Sequence, residues 1–315
     1  MARREERAYW AYVSEEQRRQ AGCPARELGD VSLFRDTSSG MRVIAVERTD
    51  DPRLSVYGGV ADPAGLTRHG LFVVEGRLVL RRMILESPLA LQSVLVTDPA
   101  RSVLEDVLDR IGDVPIYVAP PPVLNAVAGF NMHRGCLAIG IRPPIKDWTT
   151  VVDTLPETTR LVLLDAVSNA DNIGGIFRSA AALGAGAALL GHGCADPLYR
   201  KAIRTSMGAT LVLPFATVEK WPAAIQELRR REFEVVALTP GSGAEPIGEV
   251  AGRLAAKRRV ALLAGAEGDG LSEEALAAAD IRTRIPMTEG VDSLNVTVAV
   301  GIALDRLRAA TRERG

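Results

Sequence analysis

The stretch LVLLDAV, Leu161 to Val167, is an apolar run of strand length, and NIGGIFRSAAALG, Asn172 to Gly184, is a helix pattern with almost no polar surface. A run of the first kind reads as a parallel strand covered on both faces. The turn SNADN joins the two. Asp171 and Asn172 are residue types that accept a helix's first free N–H groups, which predicts a helix beginning at Ile173. Ile173, Ile176, Phe177, Ala180 and Leu183 recur at helical spacing as its core stripe. On a wheel of about 100° per residue, Arg178 stands opposite that stripe, among Gly174, Gly175, Ala181 and Ala182. The far face is therefore small rather than polar, and other backbone can approach the helix closely. Its one long cation lies just past the carboxyl end of a strand, where open α/β sheets bind ligands; a solvated arginine on an ordinary crossover helix fits the same pattern.

With 315 residues the chain is long enough for a sizeable core and two domains. Its net charge is −1, and residues 1–150 carry 19 Lys/Arg against 19 Asp/Glu, so neither half is a basic module. A nucleic-acid partner would have to be held by local patches. Cys23, Cys136 and Cys194 are far apart and lack CxxC or Cys/His spacing, which argues against a disulfide framework and a metal site and for a cytoplasmic protein. No apolar run reaches the roughly 18 residues of a membrane span, and the charged start MARREERAYW has no signal-peptide apolar region behind it.

Residues 1–50 alternate charge clusters with Tyr9, Trp10 and Tyr12 and read as an extension without chemistry. Over residues 51–142, strand and helix patterns alternate from LFVVEG and RLVLRRMILE through to CLAIGIR, which predicts a small α/β domain. Arg77, Arg81 and Arg82 on its first long helix either line an RNA-facing surface or solvate an exposed face. Residues 143–159, with three prolines among polar residues, read as a linker. Residues 160–315 resume the rhythm at larger scale. Strands are expected at 161–167, 187–191, 210–214, 234–239, 260–265 and 281–287, and helices at 173–183, 198–205, 219–231 and 293–311. The prediction is a mostly parallel, doubly wound sheet. The last helix is apolar nearly all round from Val296 to Leu304, the pattern of a helix buried on more than one side, in its own domain or across a dimer.

Two glycine-rich stretches bear on chemistry. GAEGDG, Gly265 to Gly270, follows the strand VALLAG but is not GxGxxG, and GSGAEPIG, Gly241 to Gly248, lacks Lys-Ser/Thr, so neither nicotinamide nor P-loop phosphate binding is supported. Glu267 in the first stands where a carboxylate could hold Arg178. A third stretch, RIPMTEGVDSLNVTVAVGIAL, places Ser293 and Asn295 at a helix start, either as caps or as binders of an anion or hydroxyl. The isolated His69, His133 and His192 suggest no nucleophilic apparatus.

Together the three stretches resemble the signature motifs of the SpoU (TrmH-like) family of S-adenosylmethionine-dependent RNA 2′-O-ribose methyltransferases. The first motif is present as Asn172, Gly174, Arg178, Ala180 and Gly184, and the second as Gly265, Glu267, Gly268, Gly270, Leu271 and Ser272. The third is Ile285, Pro286, Met287, Ser293, Leu294, Asn295 and Val296. FVVEGRLVLRRMI and the stretch ending HRGCLAIG are similar to the substrate-binding domain of many members, related to ribosomal protein L30e. The resemblance spans roughly residues 52–312.

It implies a carboxyl-terminal α/β trefoil-knot (SPOUT-type) methyltransferase domain with a parallel sheet, behind a small L30e-like α/β domain, and a homodimer that completes each active site. The resemblance implies Arg178, Asn172, Glu267, Ser293 and Asn295 as catalytic residues, with Asn172 and Glu267 orienting Arg178. It implies Leu238, Thr239, Gly265, Ile285, Met287 and Leu294 as the S-adenosylmethionine site. Arg77, Arg81, Arg82, Arg200 and Arg204 are candidate contacts to the RNA, for which the L30e-like domain favours ribosomal over transfer RNA. Two rivals are a noncatalytic RNA-binding protein that keeps the knotted fold and a dinucleotide-dependent α/β enzyme, the latter disfavoured by the missing GxGxxG.

Overall fold

The computed structural model describes residues 41–312 apart from 62, 133, 134, 242, 267, 269, 291 and 292, so most of the expected amino-terminal extension lies outside the described residues. Contacts divide the chain into two compact units, Met1–Pro143 with Leu198–Arg200, and Pro144–Pro197 with Lys201–Gly315.

The first unit is built on a five-stranded sheet of order β1-β4-β3-β5-β2. Its strands are β1 Val43–Ala45, β2 Leu71–Glu75, β3 Leu91–Val96, β4 Ile116–Val118 and β5 Cys136–Ile141. Only β5 runs against its neighbours, so the carboxyl ends of the other four point the same way. The helices are α1 Ser55–Gly58, α2 Pro63–Arg68, α3 Arg77–Glu86, α4 Asp98–Leu108 and α5 Pro121–Ala128. β1 falls in the segment read as part of the extension; three residues are too few to show alternation.

The second unit holds a seven-stranded, wholly parallel sheet of order β10-β12-β9-β11-β6-β7-β8. The strands are β6 Thr159–Asp165, β7 Ala187–Leu190, β8 Phe215–Thr217, β9 Glu234–Leu238, β10 Glu245–Pro246, β11 Arg259–Gly265 and β12 Ile281–Arg284. The helices are α6 Trp148–Asp153, α7 Ala170–Ala182, α8 Arg200–Thr205, α9 Trp221–Arg230, α10 Ile247–Leu254, α11 Glu273–Ala278 and α12 Val296–Arg312. Because side chains alternate along a strand, β6 and β11 feed two cores at once. Val162, Leu164, Leu262 and Ala264 pack with α7, α10 and α12 on one face. Leu161, Leu163, Ala261 and Leu263 pack with α6, α9 and α11 on the other. The doubly wound parallel sheet expected from the sequence is the one observed.

Four local differences have physical reasons. The helix expected from Ile173 starts at Ala170, because the cap is Asn169, whose side chain accepts from Asp171 N. Asp171 and Asn172 lie in its first turn. The strand expected at 210–214 is a 3₁₀ turn, Ala209–Leu211, with the strand displaced to Phe215–Thr217. Gly208 at φ 80° starts that turn, and Ala209, Leu211 and Leu213 are buried; a short apolar run does not separate a buried turn from a strand. The stretch read as a linker contains α6, capped by Asp147 and anchored through buried Val151, Val152 and Leu155. The glycines of GSGAEPIG concealed α10, whose Ile247, Val250, Ala251 and Leu254 are buried.

The turn after β6 carries backbone strain: Ala166, exposed, sits at φ 56°. An L-residue in the left-handed region costs about 1–2 kcal/mol, partly offset for glycine by its freedom in the unfolded chain. Ala166→Gly is therefore expected to stabilise the protein by about 0.5–1 kcal/mol, read as a melting temperature raised by about 1–4 °C in thermal unfolding. An unchanged or lower value contradicts the strain.

Candidate active site

The sheet brings the motif ends together. β12, β9, β11 and β6 are consecutive and parallel, so Ile285, Leu238 with Thr239, Gly265 and Asp165 follow one another along a single sheet edge. Leu238, Thr239, Gly265, Ile285, Met287 and Leu294 are all half-buried. Thr239 N donates to Thr283 O at 2.9 Å, and its hydroxyl accepts from Gly241 N at 3.3 Å, which holds the β9 loop against β12. This is the crevice at strand carboxyl ends where open α/β sheets take ligands. Among the described residues no cluster of His, Cys, Asp or Glu could hold a metal ion.

The first and third motifs meet between α7 and α12, which run side by side. A Cβ on Gly175 would stand 2.6 Å from Thr297 Cγ2, and one on Gly301 would stand 3.7 Å from Ser179 Oγ. On its other flank α7 is approached by α8: a Cβ on Gly174 would stand 2.7 Å from the Ala202 carbonyl oxygen. The small far face of this helix thus serves close approach on two sides. At the junction Asn295 Nδ2 donates to Asn172 Oδ1 at 3.0 Å, and Thr297 Oγ1 donates to the Asn172 carbonyl at 3.3 Å. Asn295 Oδ1 accepts from Thr297 N at 2.9 Å, so this asparagine both caps α12 and reaches across to the first motif. Ser293, two residues earlier, is exposed.

The described residues of the second motif close tightly on one another. A Cβ on Gly265 would fall 2.1 Å from the Gly270 carbonyl oxygen, Gly270 N donates back to Ala266 O at 3.1 Å, and Gly268 and Gly270 take φ of 92° and 71°. These positions need glycine for different reasons, the first for space and the other two for backbone conformation. The loop returns to the sheet at Ser272, whose N and Oγ both donate to Asp165 Oδ2, at 3.0 and 2.7 Å. Trp221 Nε1 donates to Asp165 Oδ1 at 2.8 Å. Sequence reading missed Asp165 and Trp221. The only signal was an acid closing an otherwise apolar strand.

Arg178 is exposed on α7, and no hydrogen bond or ion pair to it exists among the described residues. Asn172 does not orient it: six positions along a helix set two residues about 9 Å apart in height and about 120° apart in direction, and the Asn172 side chain, 8% exposed, is bonded to Asn295. Glu267, the other expected partner, lies outside the described residues. Asp171 instead binds Lys201 at 2.7 Å and the Thr205 hydroxyl at 2.9 Å, and these two groups hold its carboxyl below the usual range.

The arginines considered for RNA contact divide. Arg81 is ion-paired to Asp106 at 2.6 Å, Arg82 to Glu86 at 3.0 Å and Arg200 to Glu75 at 2.8 Å, whereas Arg77 and Arg204 are exposed without a side-chain ion pair among the described residues. Intramolecular pairing lowers what the first three can offer a phosphate.

Comparison with known proteins resolves which family uses this arrangement. Residues 159–305 match the model of the SpoU rRNA Methylase family. An uncharacterised tRNA/rRNA methyltransferase of Mycobacterium bovis is 38% identical over 270 residues, covering 84% of this chain and 91% of that protein. The chain belongs to the SpoU rRNA methylase family. A 23S rRNA guanosine-2′-O-methyltransferase of Bacillus subtilis is 28% identical over 244 residues, 77% of this chain and 90% of its own. Among solved structures, an AdoMet-bound rRNA methyltransferase from Sinorhizobium meliloti superposes with a TM-score of 0.71 at 23% identity, covering 85% of this chain and 98% of that one, which is a likeness of fold. The α/β fold with a parallel sheet is thus the one seen in SpoU methyltransferases, and no helix among the described residues is long and apolar enough to cross a membrane.

Proposed function

We propose that this SpoU protein methylates RNA, transferring the methyl group of S-adenosylmethionine to a ribose 2′-hydroxyl. The observation that carries the reading is the convergence of three motifs, separated by up to about 120 residues, at one edge of four parallel strands, with Arg178 exposed on the helix that follows β6. The relatives whose names specify RNA methylation support the class, and those named for 23S rRNA favour a ribosomal over a transfer RNA substrate.

The lining fits the donor. Half-buried Leu238, Ile285, Met287 and Leu294 offer apolar faces to an adenine, the closed Gly265 loop offers backbone without side-chain bulk, and Thr239 offers a hydroxyl beside a ribose. When bound, S-adenosylmethionine supplies a methyl on a sulfonium, a good leaving group. What the protein must supply is orientation of the acceptor hydroxyl and stabilisation of the oxygen as it loses its proton. A guanidinium does not give up its proton in proteins, so Arg178 serves by positioning the RNA phosphate and stabilising the developing alkoxide, while a phosphate oxygen or water takes the proton. Asn295, held by Asn172, and Ser293 would meet the phosphate or ribose from the start of α12.

The same reading includes a trefoil knot threaded by α12. Its support is that α12 leaves β12, beyond β9, yet returns to pack on α7 and β11, so the chain must cross back over the strand ends. It also includes a homodimer through this unit, supported by Val298 on α12, a large apolar side chain 49% exposed in the single chain. An L30e-like first unit would contact RNA through Arg77 and its neighbours.

Incubating the protein with methyl-labelled S-adenosylmethionine and bulk RNA, then digesting to nucleosides, should give label on 2′-O-methylnucleosides. Label confined to bases overturns the ribose assignment. RNA binding with no label favours the noncatalytic alternative. Ribose-methyl mapping in a strain lacking the protein then identifies the RNA.

A further inference from the structure

Asp165 is a carboxylate 7% exposed at the carboxyl end of β6, and its three hydrogen bonds among the described residues all come from neutral donors. No arginine or lysine bonds to it among the described residues. Burying a carboxylate is costly unless its oxygens are satisfied, and here each oxygen faces a different element. Oδ1 takes the indole N–H of Trp221 at the start of α9, and Oδ2 takes both the N–H and the hydroxyl of Ser272.

Asp165 is also the register partner of Gly265 across β6 and β11. The second-motif loop therefore leaves the sheet beside Asp165 at Gly265 and comes back to it at Ser272. Between those ends lie two glycines at positive φ and the Gly270-to-Ala266 bond. Ser272 Oγ in turn accepts from Ala275 N at 3.4 Å, carrying the restraint into α11. The strained Ala166 follows immediately, as expected where a chain is held in an unfavourable conformation for a purpose.

We infer that Asp165 is a positioning residue that, through Ser272, holds Gly265, Ala266 and Gly270 in the shape that receives the ligand. This rests on the reading of that loop as part of the S-adenosylmethionine site. A loop fixed beforehand spares the ligand the ordering cost of fixing it. Both oxygens of Asp165 are taken up by Trp221 and Ser272, so its loss should weaken donor binding and leave the chemical step intact.

Asp165→Asn tests this with the full chain. An asparagine that keeps its oxygen on Trp221 turns its NH₂ towards the Ser272 N–H, donor against donor. Calorimetry with S-adenosylhomocysteine should show Kd raised on the order of tenfold, with KM for the methyl donor raised in step and kcat at saturating donor within about threefold. Ser272→Ala should raise Kd less, and the double variant should bind no more weakly than Asp165→Asn alone. Trp221→Phe, which removes the donor to the other oxygen and leaves both loop bonds, should bind within about twofold of wild type.

Asp165→Asn binding within twofold of wild type overturns the inference, as does an equal loss in Trp221→Phe, which would mark a general packing effect. Should Asp165→Asn fail to fold, unchanged affinity in Ser272→Ala overturns it. Wild-type protein that takes up no S-adenosylhomocysteine rejects the donor-site reading itself, an outcome distinct from wild-type binding that Asp165→Asn leaves intact.

Discussion

Arg178→Ala is expected to lower methyl transfer by roughly 10²–10³-fold, the cost of removing one donor aimed at developing negative charge, while S-adenosylhomocysteine binds within about twofold of wild type. Arg178 is exposed and unpaired among the described residues, so its removal should change stability by no more than about 0.5 kcal/mol. The variant therefore separates chemistry from folding. Arg178→Lys keeps the charge and loses the planar fork that grips a phosphate with two parallel bonds; it should fall between the two. Single-turnover assays with bulk RNA check the first expectation, and calorimetry with the product nucleoside checks the second. Turnover retained in Arg178→Ala rejects the assignment of this residue and leaves membership of the SpoU family untouched.

Gly265→Ala should be the most damaging single methyl group that can be added to the second unit. Its Cβ would stand 2.1 Å from the Gly270 carbonyl oxygen and 2.6 Å from Leu271 N. Both are backbone atoms, which cannot swing aside as a side-chain tip can. Expelling the loop costs about 3 kcal/mol, or about 6–12 °C in melting temperature, and donor binding should be lost with it. Gly248→Ala is the matched control. Nothing lies within 4 Å of the Cβ it would add, and the position is in α10, so stability should be equal or slightly higher. If Gly265→Ala melts and binds like wild type, the closed loop does not form part of the site.

Patterns carried within a strand or a helix were legible in the sequence. The two-sided burial of β6, the core stripe of α7, and the βα rhythm of both units follow from local apolar patterning. What was not legible depends on partners distant in the chain. Asn172 is a cap type by composition, yet its side chain is committed to Asn295, 123 positions away. Asp165 and Ser272, 107 positions apart, carry no local mark of their coupling. The buried turn at Ala209–Leu211 imitates a strand because burial, and not backbone conformation, selects apolar residues. α10 is hard to read locally because the glycines of GSGAEPIG favour a turn, while the buried face of Ile247, Val250 and Leu254 runs on past them. At the site, the motif residues on strand ends lie along one sheet edge because their strands are neighbours in the sheet, an order no local pattern carries, whereas the orientation of Arg178 by Asn172 did not follow from their sharing one helix.

The pairing of β6 with β11 has a consequence for synthesis. Thr159 finds its register partner in Arg259, and Asp165 in Gly265. The middle of the sheet thus waits for about a hundred further residues to leave the ribosome, a delay on the order of 5–20 s at ordinary elongation rates. Throughout that interval one edge of β6 has no mate, while β7, which can pair with its other edge, arrives first. An unpaired apolar strand edge is a template for association with other chains, so this protein should be most prone to aggregate on the ribosome, before translation reaches β11, and far less so once that strand is in place.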